Sequence, residues 1–214
     1  MTALIPRPRG EPADGVVHIP GWLDTDRQAE LVDACREWAR PPAGMRHIRL
    51  PGGGVMSVRT VCLGWHWEPY RYVREVGGEP VKPFPPLLTE LGRRAVTDSY
   101  GQDGGYAPDV ALVNFYDDTA KMGLHQDRDE RSMAPVVSLS LGDTGVFRLG
   151  NTAGRGRPWT DLHLESGDLL VFGGPSRLVY HGVTKILPGT GPGGIGLDGG
   201  RLNITLRESG LPRS

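Results

Sequence analysis

The chain of 214 residues carries 24 Lys and Arg against 25 Asp and Glu, a formal net charge of -1 with a pI near 6.6. That length suits one domain with a sizeable core, and the near balance of charge excludes a global basic field while leaving room for a local basic groove. Two cysteines, Cys35 and Cys62, exclude a disulfide framework; with no secretory h-region and no long apolar run, a reducing, cytoplasmic location without a membrane partner is expected.

Residues 1–14 are rich in Pro, Gly and charge and read as a loose N-terminal tail. Val16 to Ile19 reads as a short strand. Asp24 can cap a helix running to about Ala39, where Ala29, Val32, Cys35 and Trp38 recur at helical spacing. Pro41-Pro42 ends it, Gly52-Gly53-Gly54 makes a turn, and Val55 to Leu63 reads as a strand. Trp65, Trp67, Tyr70 and Tyr72 follow, with His66 and Arg71 among them. Aromatics mixed with Arg suit stacking on a flat ring beside a phosphate, and equally suit packing at a sheet edge. A second helix is predicted from about Leu87 to Ser99, with Leu87, Leu88, Leu91 and Ala95 facing inward.

From Val110 onward the pattern turns to strands. Val110 to Tyr116 is apolar and β-branched. Pro135 to Leu141 alternates, with Val137, Leu139 and Leu141 on one face and Ser138 and Ser140 on the other. Gly145 to Leu149, Leu162 to Leu164, Leu169 to Phe172, Leu178 to Tyr180, Val183 to Ile186 and Leu202 to Leu206 complete the set. Short strands at close spacing with turn residues between them argue for a β-sandwich or jelly roll. The Gly-rich stretch from Pro188 to Gly200 is expected to be a mobile loop.

The chemistry concentrates in NFYDDTAKMGLHQDRD, Asn114 to Asp129. If Gly123 to Asp127 is a strand, His125 and Asp127 point to the same face. They would be two of the three ligands of a 2-His-1-carboxylate iron site. His181 lies between two later strands beside Gly182, which would let the backbone turn tightly. Arg201, Asn203, Thr205 and Arg207 alternate on one strand. Two inward guanidiniums each need an anion, and Arg grips carboxylates bidentately, so this face suggests a small diacid. Asn114 and Tyr116 can add hydrogen bonds from their own strand.

These segments resemble the AlkB family of Fe(II)/2-oxoglutarate-dependent nucleic-acid demethylases. The resemblance is carried by NFYDDTAKMGLHQDRDE, PVVSLSLGDTGVFRLG, LESGDLLVFGGPSRLVYHGV and RLNITLRES, and extends back through MSVRTVCLGW, so it covers about Val55 to the C-terminus. It implies an α+β fold: a double-stranded β-helix (jelly-roll) core at residues 110–214, with N-terminal helices packed on one sheet. Residues 15–109 would hold those helices and a nucleotide-recognition lid, in one compact domain. It implies His125, Asp127 and His181 as iron ligands. Arg201, with Tyr116 and Asn203, would hold the distal carboxylate of 2-oxoglutarate, and Arg207 and Asn114 would lie near its metal-binding end. Asp129 would contact the damaged base, and Trp65, Tyr70 and Tyr72 would belong to the base pocket and lid. The cofactor is then Fe(II), with 2-oxoglutarate and O2 as cosubstrates. The activity implied is oxidative demethylation of bases such as 1-methyladenine and 3-methylcytosine, with formaldehyde released. The partner is alkylated DNA, single- or double-stranded, or RNA, for an enzyme expected to be a monomer. The alternative is the same hydroxylation on RNA, protein or a small molecule.

Overall fold

The computed structural model describes residues 6–212. In chain order the strands are β1 (Gly10–Ala13), β2 (Val16–Ile19), β3 (Arg46–Arg49), β4 (Val55–Leu63), β5 (His66–Glu68), β6 (Arg71–Val73), β7 (Glu75–Val76), β8 (Glu79–Pro80), β9 (Val110–Tyr116), β10 (Met122–His125), β11 (Val136–Gly142), β12 (Thr144–Leu149), β13 (Thr160–Leu164), β14 (Leu169–Phe172), β15 (His181–Leu187) and β16 (Arg201–Arg207). Helix α1 (Thr25–Ala39) precedes β3, and α2 (Pro86–Tyr100) precedes β9. Eight strands form one sheet in the order β1-β2-β14-β11-β16-β9-β4-β3, and four form a second, β10-β15-β12-β13. The pairs β5–β6 and β7–β8 stand apart as small antiparallel hairpins. The architecture is a jelly roll with two helices.

Both helices stop and start where local chemistry requires. The Asp24 carboxylate accepts from the Arg27 amide at 2.8 Å and caps α1, whose Gln28, Leu31, Val32 and Cys35 are buried at three- and four-residue spacing. Helix α2 opens with a proline in its first turn and closes on Gly101 at φ 85°, a left-handed cap that glycine adopts without strain. Gly92 lets α2 lie close to the sheet, since a methyl group there would meet Pro108, Tyr106 and Leu206 at 3.0–3.3 Å.

Two apolar layers result. Leu31, Val32, Leu88, Leu91 and Ala95 of the helices pack on Val137, Leu139, Leu141, Ile204 and Leu206 of the large sheet. Val136, Phe147, Leu149, Leu170, Phe172, Val183 and Ile186 fill the space between the sheets. Strand β11 serves both layers by its two-residue period: Val137, Leu139 and Leu141 face the helices, while Val136 faces the other sheet. Ser138 and Ser140, on the same face as Val136, are buried where the polar site lies.

Four expectations need correction. The predicted tail is not loose over its described part: Gly10–Ala13 pairs with β2, and both Arg7 terminal nitrogens bond the fully buried Asp168 carboxylate at 2.6–2.7 Å. Residues 1–5 of that tail lie outside the described residues. Leu178 to Tyr180 is not a strand; it follows the 3-10 turn Gly174–Ser176 as irregular chain. Strand β10 ends at His125, so Asp127 lies beyond it. The Pro188 to Gly200 loop is tied down, because the buried Asp143 carboxylate accepts the amides of Thr190, Gly191 and Gly200, each at 2.9 Å, and Ile195 enters the core.

Candidate active site

Between the sheets lies a cavity of about 560 Å³. Strand pairing explains why its floor is polar. In the ladder β11-β16-β9, Ser140 pairs with Asn203 and Asn203 with Asn114, while Tyr116 pairs with Arg201. Residues facing each other across a sheet share a face. One face of three adjacent strands therefore carries serines, amides, a phenol and two guanidiniums, all opening on the cavity or just beneath it.

His125 and His181 come from the smaller sheet, where β10 and β15 pair them directly and their ring centroids are 4.5 Å apart. Gly182 makes this approach feasible. It lies within β15, not in a turn as its sequence context suggests, and a methyl group there would sit 2.5 Å from the Met122 carbonyl oxygen. Gly182→Ala is therefore expected to separate β10 from β15 and weaken Fe(II) binding by about tenfold or more, in the range seen when a ligand's supporting partner is removed. Anaerobic iron titration against the parent protein measures this; equal affinity would mean that the strand spacing is set elsewhere.

Both imidazoles are held in one tautomer by their own backbone. Nδ1 of His125 lies 2.9 Å from the Gly123 carbonyl oxygen and Nδ1 of His181 lies 3.0 Å from that of Val179. A carbonyl can only accept, so each Nδ1 carries the proton and each Nε2 keeps its lone pair. Both Nε2 atoms face Asp127, at 3.5 Å from Oδ1 for His125 and 3.7 Å from Oδ2 for His181. One ligand atom from each of the three lies within 4.8 Å of the others. Burial pushes the His181 imidazole down to about 4 against the pull of Asp127, so it is neutral at physiological pH, as a metal ligand must be.

Asp127 reaches this position without a strand to hold it. Arg177, 1 % exposed, donates to the backbone carbonyls of Asp127 and Ala134 and pairs with Glu130, clamping the irregular segment after β10. Arg207 approaches the Asp127 carboxylate to 2.7 Å and Glu130 to 2.9 Å. Burial alone would raise the Asp127 carboxyl; Arg207, with both histidines, outweighs it and holds the group well below the usual carboxylate range. Oδ2 of Asp127 is nevertheless a buried acceptor with no hydrogen-bond partner among the described residues. A charged acceptor orphaned beside two imidazole lone pairs fits a cation, and the two-nitrogen, one-carboxylate set fits Fe(II).

The two guanidiniums differ in what they meet. Arg207 has two protein carboxylates. Among the described residues, Arg201, 1 % exposed, has only the Ser140 hydroxyl at 2.8 Å and the Leu164 carbonyl at 3.1 Å, and its Nε is unpartnered. Burial lowers it to about 10, offset in part by Tyr116 and Asp168. A buried cation without a contacting carboxylate among the described residues, lining the same cavity as an iron-type triad, fits the far carboxylate of a diacid. Gly145 leaves room for it, since a methyl group there would stand 2.7 Å from Arg201 Nε. Asn203 is less free than Arg201: its Nδ2 donates to Ser138 and to the Leu139 carbonyl, and its Oδ1 accepts from Thr205. Asn114 accepts from Thr60 through Oδ1.

Of the twelve residues proposed from the sequence, ten line this cavity: Asn114, Tyr116, His125, Asp127, Asp129, His181, Arg201, Asn203, Arg207 and Tyr70. Trp65 and Tyr72 do not. Trp65 packs on Cys62, Val110 and Leu112, with its indole on Asp109 and the Arg74 guanidinium 3.4 Å above its ring. Tyr72 lies behind the wall, donating to Glu130 and accepting from Arg207. Trp67, named from the sequence only among the aromatics that suit stacking, faces the cavity and donates to Asp129 at 2.8 Å. Tyr70 stands at the rim, 71 % exposed, on the β5–β6 turn.

The chain matches the family model of the 2OG-Fe(II) oxygenase superfamily over residues 15–207. It is 42% identical over 201 residues to an alpha-ketoglutarate-dependent dioxygenase AlkB homolog of Caulobacter vibrioides, covering 89% of this chain and 86% of that protein. It is 40% identical over 174 residues to the alpha-ketoglutarate-dependent dioxygenase AlkB of Escherichia coli, covering 77% of each. The DNA N(6)-methyladenine demethylase ALKBH1D of Arabidopsis thaliana is 33% identical over 91% of this chain and 49% of its own length. Among solved structures, that of OsALKBH1 superposes with a TM-score of 0.85 at 32% identity, covering 94% of this chain and all of that one.

Proposed function

The chain belongs to the AlkB branch of the 2OG-Fe(II) oxygenase superfamily and is an Fe(II)- and 2-oxoglutarate-dependent dioxygenase; we propose that it removes methyl groups oxidatively from base nitrogens of alkylated DNA, in direct repair. The observation that carries this reading is the cavity itself. It joins an iron-type triad and a diacid-seeking arginine at its floor to an indole and a carboxylate, Trp67 and Asp129, at its mouth.

His125, Asp127 and His181 would hold the iron, and Arg201 would receive the distal carboxylate of 2-oxoglutarate. Tyr116, whose phenol burial raises and so keeps protonated, can donate beside it. When bound, iron and 2-oxoglutarate supply the oxidation of a methyl group by O2, with succinate, CO2 and formaldehyde as products. The protein's own residues orient the reactants and exclude water. Phe147 and Phe172 pack against His181 on its apolar side, with ring centroids 5.5 and 4.9 Å away. Asp129 Oδ2 accepts from the Trp67 indole N–H, which leaves Oδ1 for a substrate. A base inside a duplex cannot reach this depth, so it must be flipped out or come single-stranded.

Lesions such as 1-methyladenine and 3-methylcytosine are cations near neutral pH, and a carboxylate beside them favours them over neutral bases. Asp129→Ala is expected to keep Fe(II) and 2-oxoglutarate binding. It should lose about tenfold or more of turnover on cationic lesions, the scale of one hydrogen bond to a charged group, and less on neutral 3-methylthymine. Formaldehyde release on both lesions, beside succinate formed without substrate, measures it. Equal loss on both together with weakened iron binding would make Asp129 a support of the metal site. The reading as a whole is tested by loading the protein anaerobically with Fe(II) and 2-oxoglutarate, then admitting air over methylated and unmodified oligonucleotides. Succinate without demethylation of any strand would move the substrate to another class.

A further inference from the structure

One face of β4 carries Val58, Thr60 and Cys62 at alternate positions, all of them buried. Thr60 is the polar member, 1 % exposed, and it lines the cavity. Its Oγ1 has one partner among the described residues, the Oδ1 of Asn114 at 2.7 Å, directly across the β4–β9 ladder. Such a pair has an ordinary use, since contacts across two strands stabilise a sheet. A valine, like the neighbouring Val58, would serve that use without burying a hydroxyl. Nor does sheet stability account for the state of the other end of the Asn114 amide.

With Oδ1 occupied by Thr60, Nδ2 of Asn114 has no partner among the described residues and opens on the cavity. Asn203, which faces Asn114 across the β9–β16 ladder, shows the contrast. It accepts the Thr205 hydroxyl in the same way, but its Nδ2 is committed to Ser138 and Leu139. The strand register gives the open N–H its place. Tyr116 pairs with Arg201 and Asn114 with Asn203, so Asn114 lies two residues, about 7 Å, along from the level of Arg201. That separation suits the two ends of a five-carbon diacid. Farther along the same face, Arg207 is already committed to Asp127 and Glu130. Asn114 thus offers an uncommitted donor to the end of the diacid away from Arg201.

We propose that Thr60 is a positioning residue for the cosubstrate: its hydroxyl holds the Asn114 carboxamide with Nδ2 toward the cavity, where it donates to the metal-binding end of 2-oxoglutarate. The inference rests on the placement of the far carboxylate at Arg201 and is independent of which strand or base is the substrate. Two effects combine. A hydroxyl bound at Oδ1 keeps that acceptor from turning toward an incoming carboxylate. Donation into Oδ1 also polarises the amide and so strengthens donation from its N–H. Without the hydroxyl the carboxamide can turn over, since its oxygen and nitrogen ends have nearly the same shape.

The test uses the full chain and no nucleic acid. Fe(II) and then 2-oxoglutarate are titrated anaerobically into T60V, T60S, N114A and T60V/N114A, and the visible charge-transfer absorption of each iron–2-oxoglutarate complex is recorded. T60V is expected to bind Fe(II) as the parent does, to need about tenfold more 2-oxoglutarate, the scale of one hydrogen bond to a charged group, and to show a shifted absorption band. T60S keeps the hydroxyl and should recover most of the affinity and the parent band. N114A should lose at least as much as T60V, and the double variant no more than N114A, because Thr60 acts through Asn114. Parent-like 2-oxoglutarate affinity and band in T60V would overturn the inference. So would losses that multiply in the double variant, or a T60S as weak as T60V, since either makes the effect independent of the hydroxyl on Asn114. If T60V does not fold, T60A carries the same comparison. Unchanged 2-oxoglutarate binding in Arg201→Ala is a separate result that sinks the placement of the diacid instead.

Discussion

Asp127→Ala is expected to abolish turnover and lower Fe(II) affinity by more than about a hundredfold, since removing even the outer partner of a metal ligand costs 10–100-fold. The reason is geometric. Among the described residues, Asp127 is the carboxylate that reaches both imidazole lone pairs, and its Oδ2 has no competing partner. The fold should survive. Arg207, which would otherwise be left as a buried bare cation, still has Glu130 at 2.9 Å. Asp127→Asn separates charge from shape, because it preserves the volume and removes the anion. Anaerobic iron titration, succinate release and thermal melts of both variants decide the matter. Parent-like activity at limiting iron in either one would remove Asp127 from the ligand set.

Arg201→Ala should raise the 2-oxoglutarate requirement about thirtyfold or more, the effect of losing roughly 2 kcal/mol from a buried charge pair. A second expectation accompanies it. Without the diacid, the Arg201 guanidinium is buried against a hydroxyl and a carbonyl alone, which burial penalises. Arg201→Met removes that penalty and fills much of the volume. The variant should therefore melt no lower than the parent in the absence of 2-oxoglutarate, while losing the rise in Tm that 2-oxoglutarate gives the parent by mass action. Equal Tm shifts with 2-oxoglutarate in both proteins would place the diacid elsewhere.

Much of this arrangement is legible in the residue order. The period-two alternation of Val136–Gly142, and the matching set Arg201, Asn203, Thr205 and Arg207, marks which face of each strand turns toward the site, because a strand has only two faces. What stays hidden depends on interactions between distant segments. Glu130 and Arg177 carry no signal in the residue order, yet their side chains are buried against one another. Strand alternation puts Asp127 on the correct side for an incomplete reason, since β10 ends before it and Arg177 supplies the missing support. Trp65 and Trp67 are alike in composition and two residues apart; only the position of Arg74 and Asp109 assigns Trp65 to packing. The Pro188 to Gly200 stretch has the composition of a mobile loop, and a single carboxylate, Asp143, overrides it.

The two histidines take their orientation from carbonyls two residues earlier in the same chain, Gly123 and Val179. Those hydrogen bonds form as soon as β10 and β15 are in place and require no metal. The orientation of both ligands is thus written into the backbone around them, and iron binding is expected to follow folding and not to drive it. Stripping the iron with a chelator should leave a protein that still melts cooperatively and recovers activity when Fe(II) is restored; loss of the cooperative melt on chelation would show instead that the metal holds the two sheets together.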